Sequence, residues 1–448
     1  MPSMSVSLLL PCEEAARKVL RRLREKGFET YFVGGCVRDR LLGIEPHEVD
    51  VATAAKPDEV RAAFSRTVPV GEQFGVIVVS EFEPSVQVAT FRKDKEYKDG
   101  RHPEGVEFAG AREDALRRDF TVNGLFLDPE TGQVLDFVGG QDDLKARVLR
   151  AIGNPAARFE EDRLRMVRAA RFAAALGFEL EPATAAAIRA AAGSLGAVSQ
   201  ERIRDELKRM LTGNAPRHAV TLLDSLGLLP GILPELLPQK GCPQPDNFHP
   251  EGDVWTHTLL CLDFLPKEPS FELGLAALLH DVGKPSTFTV EDRIRFTGHE
   301  NVGARMADRV CLRLRLSNEE RERVVDLVRR HMALKDIRLM RPGRAKNLVA
   351  DPAFPELLAL TYADTMASHQ DLTEYDFAKG LLAKWSEEEL KPPTLLTGHD
   401  LIGMGLSPGP AFKEILETIR LEQLDGTLST KEEALARARK LSEGATPA

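Results

Sequence analysis

Residues 28–53 read FETYFVGGCVRDRLLGIEPHEVDVAT, and the fold is decided here. The apolar and aromatic run Phe28–Val33 predicts a strand, Gly34-Gly35 a tight turn, and Cys36–Leu42 a short helix closed by Gly43. Val49–Ala52 predicts a second strand. A glycine turn from strand to helix lets backbone N–H groups approach a ligand closely. Arg38, one turn into that helix, brings a fixed cation within reach of a phosphate. Glu48 and Asp50 lead into the second strand two residues apart, so their carboxylates share a face. Two like charges held together are costly unless a cation binds them, and Mg²⁺ with oxygen ligands is the usual one.

Upstream, Ala16, Val19, Leu20 and Leu23 recur at helical spacing, and Gly27 stops the helix predicted over residues 13–27. Downstream, Val76–Ser80 and Val86–Phe91 predict further strands, and the polar stretch RKDKEYKDGRHPEG (residues 92–105) predicts a mobile loop. Arg117-Arg118-Asp119 precedes an apolar run, where the two arginines are suited to grip a triphosphate or ribose. From about residue 155 the texture turns to long Ala/Arg/Leu helices. PQKGCPQPDNFHPEGD (238–253) reads as a linker, residues 254–385 as helical, and KPPTLLTGHD (391–400) as another boundary.

The 448 residues suit about three domains of ordinary size. Sixty basic residues against 69 acidic give a net charge of −9, which rules out a polybasic nucleic-acid binder but not an enzyme with a local basic surface. No stretch approaches the roughly 20 apolar residues of a membrane span, so no membrane partner is expected. The N-terminal stretch lacks the features of a signal peptide. Five scattered cysteines without a CxxC pair fit a reducing, cytoplasmic setting.

Five ordered motifs carry a family resemblance. YFVGGCVRDRLLG with HEVDVAT, VATFRKD with DGRHP, RRDFTVNGLF, DFVGGQDDL and FEEDRLRMVRAARFAAALGF together resemble the class II tRNA nucleotidyltransferase (CCA-adding enzyme) and bacterial poly(A) polymerase family. The resemblance is dense over residues ~28–210. It implies a DNA-polymerase-β-like nucleotidyltransferase head and two-metal chemistry with Mg²⁺. By position, Gly34, Gly35 and Arg38 match the triphosphate-binding turn, Glu48 and Asp50 the catalytic metal-binding pair, and Arg117 and Arg118 the second arginine motif. Two departures stand out. The usual DxD is ExD, and the position of a third carboxylate holds Gln87, which is neither an anionic ligand nor a base.

Asp162 and Arg165 lie three apart in a segment read as helix, hence on one face. Cytosine and adenine each show an amino donor beside a ring-nitrogen acceptor, which a carboxylate and a guanidinium complement. Uracil and guanine reverse that pattern and leave groups unpaired, at about 1–3 kcal/mol each. The resemblance assigns this E-D-x-x-R motif (Glu161, Asp162, Arg165) to nucleotide selection. Arg168 and Arg171 continue the helix toward ligand phosphates or the acceptor end, and the SQERIRDEL motif (199–207) has a structural role in the family.

Half of the ten histidines fall between residues 249 and 331. His257, His280-Asp281 after an apolar helix, and Asp364 follow the order of HD-domain metal-dependent phosphohydrolases, which this region resembles. His299 and His331 stand where some HD proteins hold a second metal, and Mg²⁺, Mn²⁺ or Ni²⁺ all suit mixed N/O ligands. A second HD dipeptide, His399-Asp400, reads as loop. The tail resembles the end of HD-containing members, where it helps hold the tRNA body.

The expectation is an α+β chain: a nucleotidyltransferase head (1–150), an all-α neck that binds RNA (151–237), an HD-type helical domain (238–390) and a helical, tRNA-contacting tail (391–448). The implied activity is template-independent addition of C and A to the tRNA 3′ end from CTP and ATP. Alternatives that keep the chemistry are A-only, CC-only or poly(A) addition. A different class is an HD phosphohydrolase with a weakened head, favoured by ExD and Gln87 and opposed by the intact arginine and E-D-x-x-R motifs.

Overall fold

The structure, a computed structural model, describes residues 10–70, 75–94, 106–245 and 247–444. The chain divides into two units, residues 1–210 with 218–234, and residues 211–217 with 235–448. The fold is α+β, with a sheet at the front of the first unit and helices through the rest.

In the first unit, the strands are β1 (Thr30–Val33), β2 (Asp50–Thr53), β3 (Thr67–Pro69), β4 (Val76–Val79), β5 (Val86–Thr90), β6 (Arg92–Asp94), β7 (Val106–Phe108), β8 (Leu125–Leu127), β9 (Val134–Asp136), β10 (Val148–Leu149) and β11 (Glu179–Leu180), the last of which pairs with β10 inside the neck expected to be all helix. Seven of them form one sheet in the order β3-β4-β5-β2-β1-β8-β9. β2 lies inside it, antiparallel to β1 and parallel to β5. The stretch predicted as a mobile loop begins instead as strand: β6 pairs with β7, Arg92 opposite Phe108. The rest of that loop, residues 95–105, lies outside the described residues.

The helix Pro11–Glu25 backs the sheet because its apolar residues fall on one stripe; Ala15, Ala16, Val19, Leu20 and Leu23 are each at most 2% exposed. Val33, Ala52, Phe91 and Phe126 pack with Ala111 and Ala115 into a core. Tyr31, Phe91 and Phe126 meet at ring-centroid distances of 6.0–6.4 Å, contacts worth about 1 kcal/mol each beyond their buried area. This packing fixes the edge where β1 and β2 deliver Gly34 and Asp50.

The helices Pro155–Glu161, Leu164–Leu176, Pro182–Ala191 and Gln200–Leu211 follow. The continuous helix predicted through the E-D-x-x-R motif is broken. Asp162 is extended (φ −146°, ψ 103°), and its Oδ1 accepts from Leu164 N at 3.1 Å, starting the next helix. A carboxylate that bonds the backbone two residues on competes with the helical ladder, and here it wins.

The second unit is mostly helical, with a two-stranded hairpin (Thr289–Val290 with Ile294–Arg295) interrupting the stretch read as all helix. Leu401, Ile415, Ile419, Ala434 and Ala438 form a separate apolar core near the C-terminus. His399 and Asp400 lie in the short helix Gly398–Gly403, not in a loop. The Asp400 carboxylate accepts from Thr397 N and Oγ1 and so caps that helix. Among the described residues, no helix is long and apolar enough to cross a membrane.

Candidate functional site

Gly34 has φ +76°, and a Cβ there would stand 3.3 Å from Arg118 Nη1, so glycine both permits the turn and lets the second arginine motif close over it. Arg38 is 9% exposed; its guanidinium donates to Asn123 Oδ1 at 2.7 Å and pairs with Asp39. Asp50 is the first residue of β2 and Glu48 stands exposed just before it. Burial, then the charge of Glu48, pushes the Asp50 carboxyl up to about 6, with Arg118 pulling the other way. Val51 pairs with Val88 in parallel register, so one step earlier Gln87 lies beside Asp50 on the same face. An uncompensated carboxylate pair at a strand edge is the arrangement a divalent cation relieves, and the residues present fit one.

Arg117 and Arg118 are held by a residue the sequence reading passed over. Asp114, 1% exposed, accepts from Arg117 at 2.6 and 2.9 Å through Oδ1 and from Arg118 at 2.9 and 3.2 Å through Oδ2. Burial alone would raise its pKa, yet Arg118 and Arg117 hold it below the usual carboxylate range. Asp119 takes both Arg168 donors at 2.7 and 2.9 Å and Asn123 Nδ2 at 3.1 Å. Asn123 therefore joins Arg38 to Asp119, and Asp119 joins the sheet to the helix Leu164–Leu176. Arg171 pairs instead with Glu206, and its guanidinium stands 3.9 Å from the Phe172 ring centroid.

Asp162 and Arg165 do not share a helix face. Asp162 is gripped bidentately by Arg202, at 3.0 and 2.8 Å, forty residues away. Arg165 donates to Glu161 at 2.7 Å and to the carbonyls of Arg158 and Arg117, each at 3.2 Å. The two groups are thus held by separate partners, and the contact to Arg117 O ties Arg165 to the arginine motif of the head. Arg202 belongs to the SQERIRDEL motif, whose structural role in the family suggested no such pairing.

In the second unit the six residues of the HD pattern converge. His257 lies in the helix Val254–Cys261, His280 and Asp281 end the helix Phe271–Leu279, His299 opens His299–Arg313, His331 ends Asn318–Arg330, and Asp364 lies in Phe354–Ala367. His257 Nε2 is 3.0 Å from Asp364 Oδ1 and 3.3 Å from His280 Nε2. His299 Nε2 is 3.3 Å from His331 Nε2, and Asp281 reaches both groups, Oδ2 at 3.3 Å from His280 and Oδ1 at 3.4 Å from His299. A Cβ on Gly283 would come within 2.2 Å of His299 O, so only glycine lets the HD turn press this closely on His299.

The inner and outer edges of these rings differ. Nδ1 of His280, His299 and His331 each donates to the carbonyl three residues back, at 2.7, 2.8 and 2.7 Å. His257 Nδ1 meets Glu251 Oε1 at 2.7 Å. A carbonyl only accepts, so Nδ1 carries a hydrogen in each of these three rings, and Nε2 is the nitrogen turned inward toward the cluster. Burial, then the charge of His280, pushes His331 down to about 4, which keeps its lone pair free at neutral pH. Burial would lower the His257 imidazole, but Cys261, Asp364 and Glu251 raise it well above its ordinary value, so a proton on His257 serves Asp364 when no metal is bound. A cation among these groups would take that proton's place, and outer partners of this kind are what metal-bound histidines carry. Lys284 Nζ, 2.6 Å from Asp281 Oδ2, partly offsets that charge. Glu251 and Cys261, which join these clusters, were not singled out in the sequence; a Pro-rich linker and an apolar helix gave no signal for them.

Three family profiles match the chain: "Poly A polymerase head domain" over residues 30–150, "Probable RNA and SrmB- binding site of polymerase A" over 177–240, and "HD domain" over 254–368. A protein of Levilactobacillus brevis named "CCA-adding enzyme" is 31% identical over 436 residues, 95% of this chain and 97% of that one. A namesake from Limosilactobacillus fermentum is 45% identical over 216 residues, and there the match spans about half of each chain, 48% of this one and 54% of the relative. The crystal structure of the Bacillus stearothermophilus CCA-adding enzyme in complex with CTP is similar with a TM-score of 0.71 at 27% identity, covering 97% of this chain and 99% of that one. A Thermotoga maritima CCA-adding enzyme complexed with tRNA, 20% identical with a TM-score of 0.55, shares the fold.

Proposed function

The chain belongs to the family of the CCA-adding enzymes, and from that premise we propose that it adds C and A to the 3′ end of tRNA from CTP and ATP, releasing pyrophosphate. The observation that carries this reading is the line from Asp50 through Arg118 and Arg117 to Arg165, which joins a metal-binding carboxylate, a phosphate grip and a base-edge donor within one unit. Glu48 and Asp50 would hold Mg²⁺. When bound, that ion supplies Lewis-acid stabilisation at the α-phosphate and acidifies the attacking 3′-hydroxyl. Gly34 and Gly35 admit the triphosphate, Arg38 and the Arg117/Arg118 pair orient it, and Gln87 can donate or accept a hydrogen bond but takes no proton. Arg168 and Arg171 support the neck and the approach of the acceptor end. A cytoplasmic setting agrees with five unpaired cysteines.

Base choice falls to Arg165 as donor and Asp162 as acceptor, and Asp162 must leave Arg202 to meet an exocyclic amine. Arg165→Ala is expected to weaken discrimination for C and A over U and G by about 5- to 150-fold, equivalent to ~1–3 kcal/mol, while transfer continues. Asp162→Ala relaxes selection differently, by removing repulsion toward the carbonyls of UTP and GTP. The measurement is incorporation of all four nucleotides on one tRNA lacking its 3′ end, by wild type and both variants. Equal proportional losses for every nucleotide would show that these residues only position the chain, and no incorporation of CTP or ATP by wild type would remove the function itself.

The HD cluster we read as a second, phosphohydrolase-type metal centre. His257, His280, Asp281 and Asp364 would hold one divalent ion, with His299 and His331 meeting a second across Asp281, and Mg²⁺, Mn²⁺ and Ni²⁺ suit the nitrogen and oxygen donors. Replacing His280 and Asp281 by alanine is expected to remove metal from the second unit and any metal-dependent phosphatase or phosphodiesterase activity. Nucleotide addition should stay at the wild-type rate, because among the described residues the two sites share no partner. Metal content after dialysis and CTP incorporation check the two halves of this statement.

A further inference from the structure

Cys261 lies one helical turn beyond His257 on the helix Val254–Cys261, on the same face, and is fully buried. Its Sγ is 3.5 Å from His257 Nε2, the nitrogen that faces Asp364 and His280. These four residues each offer an atom within 4.8 Å of every other. Atoms bonded to one ion at about 2.0–2.2 Å for nitrogen or oxygen and about 2.3 Å for sulfur stand roughly 3.0–3.7 Å apart in tetrahedral or octahedral geometry. The spacings of 3.0, 3.3 and 3.5 Å around His257 Nε2 fall in that range.

We propose that Cys261 is a further, thiolate ligand to the ion held by His257, His280, Asp281 and Asp364, and that this site takes a late transition ion such as Co²⁺, Ni²⁺ or Zn²⁺ in preference to Mg²⁺. The proposal rests on reading the HD cluster as a metal centre, and it narrows which metal. Soft sulfur favours these ions and is a poor partner for Mg²⁺, which demands hard oxygen. On binding, the S–H bond breaks, its proton passes to solvent, and a metal–sulfur bond forms with no change of oxidation state. The competing arrangement is a packed thiol that only hydrogen-bonds the imidazole.

Titrating the metal-free full-length protein with Co²⁺ and recording its absorption separates them. The expected result is a near-ultraviolet thiolate-to-cobalt band rising together with the visible bands of bound cobalt. Cys261→Ser should abolish the near-ultraviolet band, keep visible bands, and weaken Co²⁺ binding by roughly tenfold or more. Cys242→Ser, a buried cysteine outside the cluster, should leave both unchanged. Visible bands without the near-ultraviolet band in wild type, or a near-ultraviolet band that survives Cys261→Ser, would overturn the ligation while leaving the metal centre. No cobalt binding by a chain of native circular dichroism would overturn both.

Discussion

Asp50→Ala should cut nucleotide addition by roughly a thousandfold or more, about 4 kcal/mol of lost transition-state stabilisation, while tRNA binding and folding survive. Asp50 opens β2, so truncation would remove the proposed metal ligand at the start of the strand without opening the core. The charged carboxylate carries a cost, because burial and Glu48 raise it to about 6 against about 3.9 in the unfolded chain. A raised carboxyl pKa means that the native state holds the proton longer. Its penalty on the fold is therefore absent below about pH 4, grows from there to about pH 6, and is complete above that. Asp50→Asn should accordingly stabilise the metal-free first unit at pH 8 by about 1–2 kcal/mol, after discount for partial exposure, and give nothing at pH 4. Metal binding and activity should also fall as pH drops through about 6, since the proton and the cation compete for one group. Thermal melts in chelator at the two pH values, beside incorporation assays, check all of this; an inactive Asp50→Asn variant without the alkaline gain would contradict the electrostatic account.

Asp119→Ala should destabilise the first unit by about 3 kcal/mol at pH 7, because it leaves the buried Arg168 guanidinium with only its 3.5 Å contact to Glu206 and frees Asn123. Burial would raise the Asp119 pKa, but Arg168 and the Asn123 and Phe120 N–H groups lower it to about 2. The stabilisation is thus complete above about pH 4 and lost as pH falls toward 2, so the deficit of the variant should shrink over that window. Since Asn123 also holds Arg38, CTP affinity should drop with stability. Denaturant midpoints of the first-unit transition at pH 7 and pH 3 measure the effect, and a variant within 0.5 kcal/mol of wild type at pH 7 (about the range of an ordinary surface change) would contradict the relay.

The head was legible because its signals are local: a strand, a double glycine and an E-x-D pair are read within 25 residues. The histidines were legible because imidazoles are rare on apolar helices and fell in a known order. What escaped were partners fixed only by tertiary structure. Asp114 sits in a charged segment that reads as surface, yet it is buried and clamps both arginines. Asp162 and Arg165 have helical spacing, and nothing local announces that Asp162 breaks the helix or that Arg202 will hold it. His399-Asp400 has the same dipeptide as His280-Asp281, but among the described residues it joins no group of side chains able to hold a metal, and it became a helix cap. The E-x-D and Gln87 departures remain compatible with the site: Asp50 is still half-buried beside a second carboxylate, and Gln87 still stands on the neighbouring strand facing the same way.

Sequencing the product ends decides whether this chain completes CCA. A tRNA lacking its last three nucleotides is incubated with the full-length protein, Mg²⁺, CTP and ATP, and the added residues are read one molecule at a time. The expected reads are two C residues, then one A, then a stop, with Asp50→Ala adding none. A run of A residues, a stop after CC, addition of A only to ends already carrying CC, or no extension at all by the wild-type protein would contradict it.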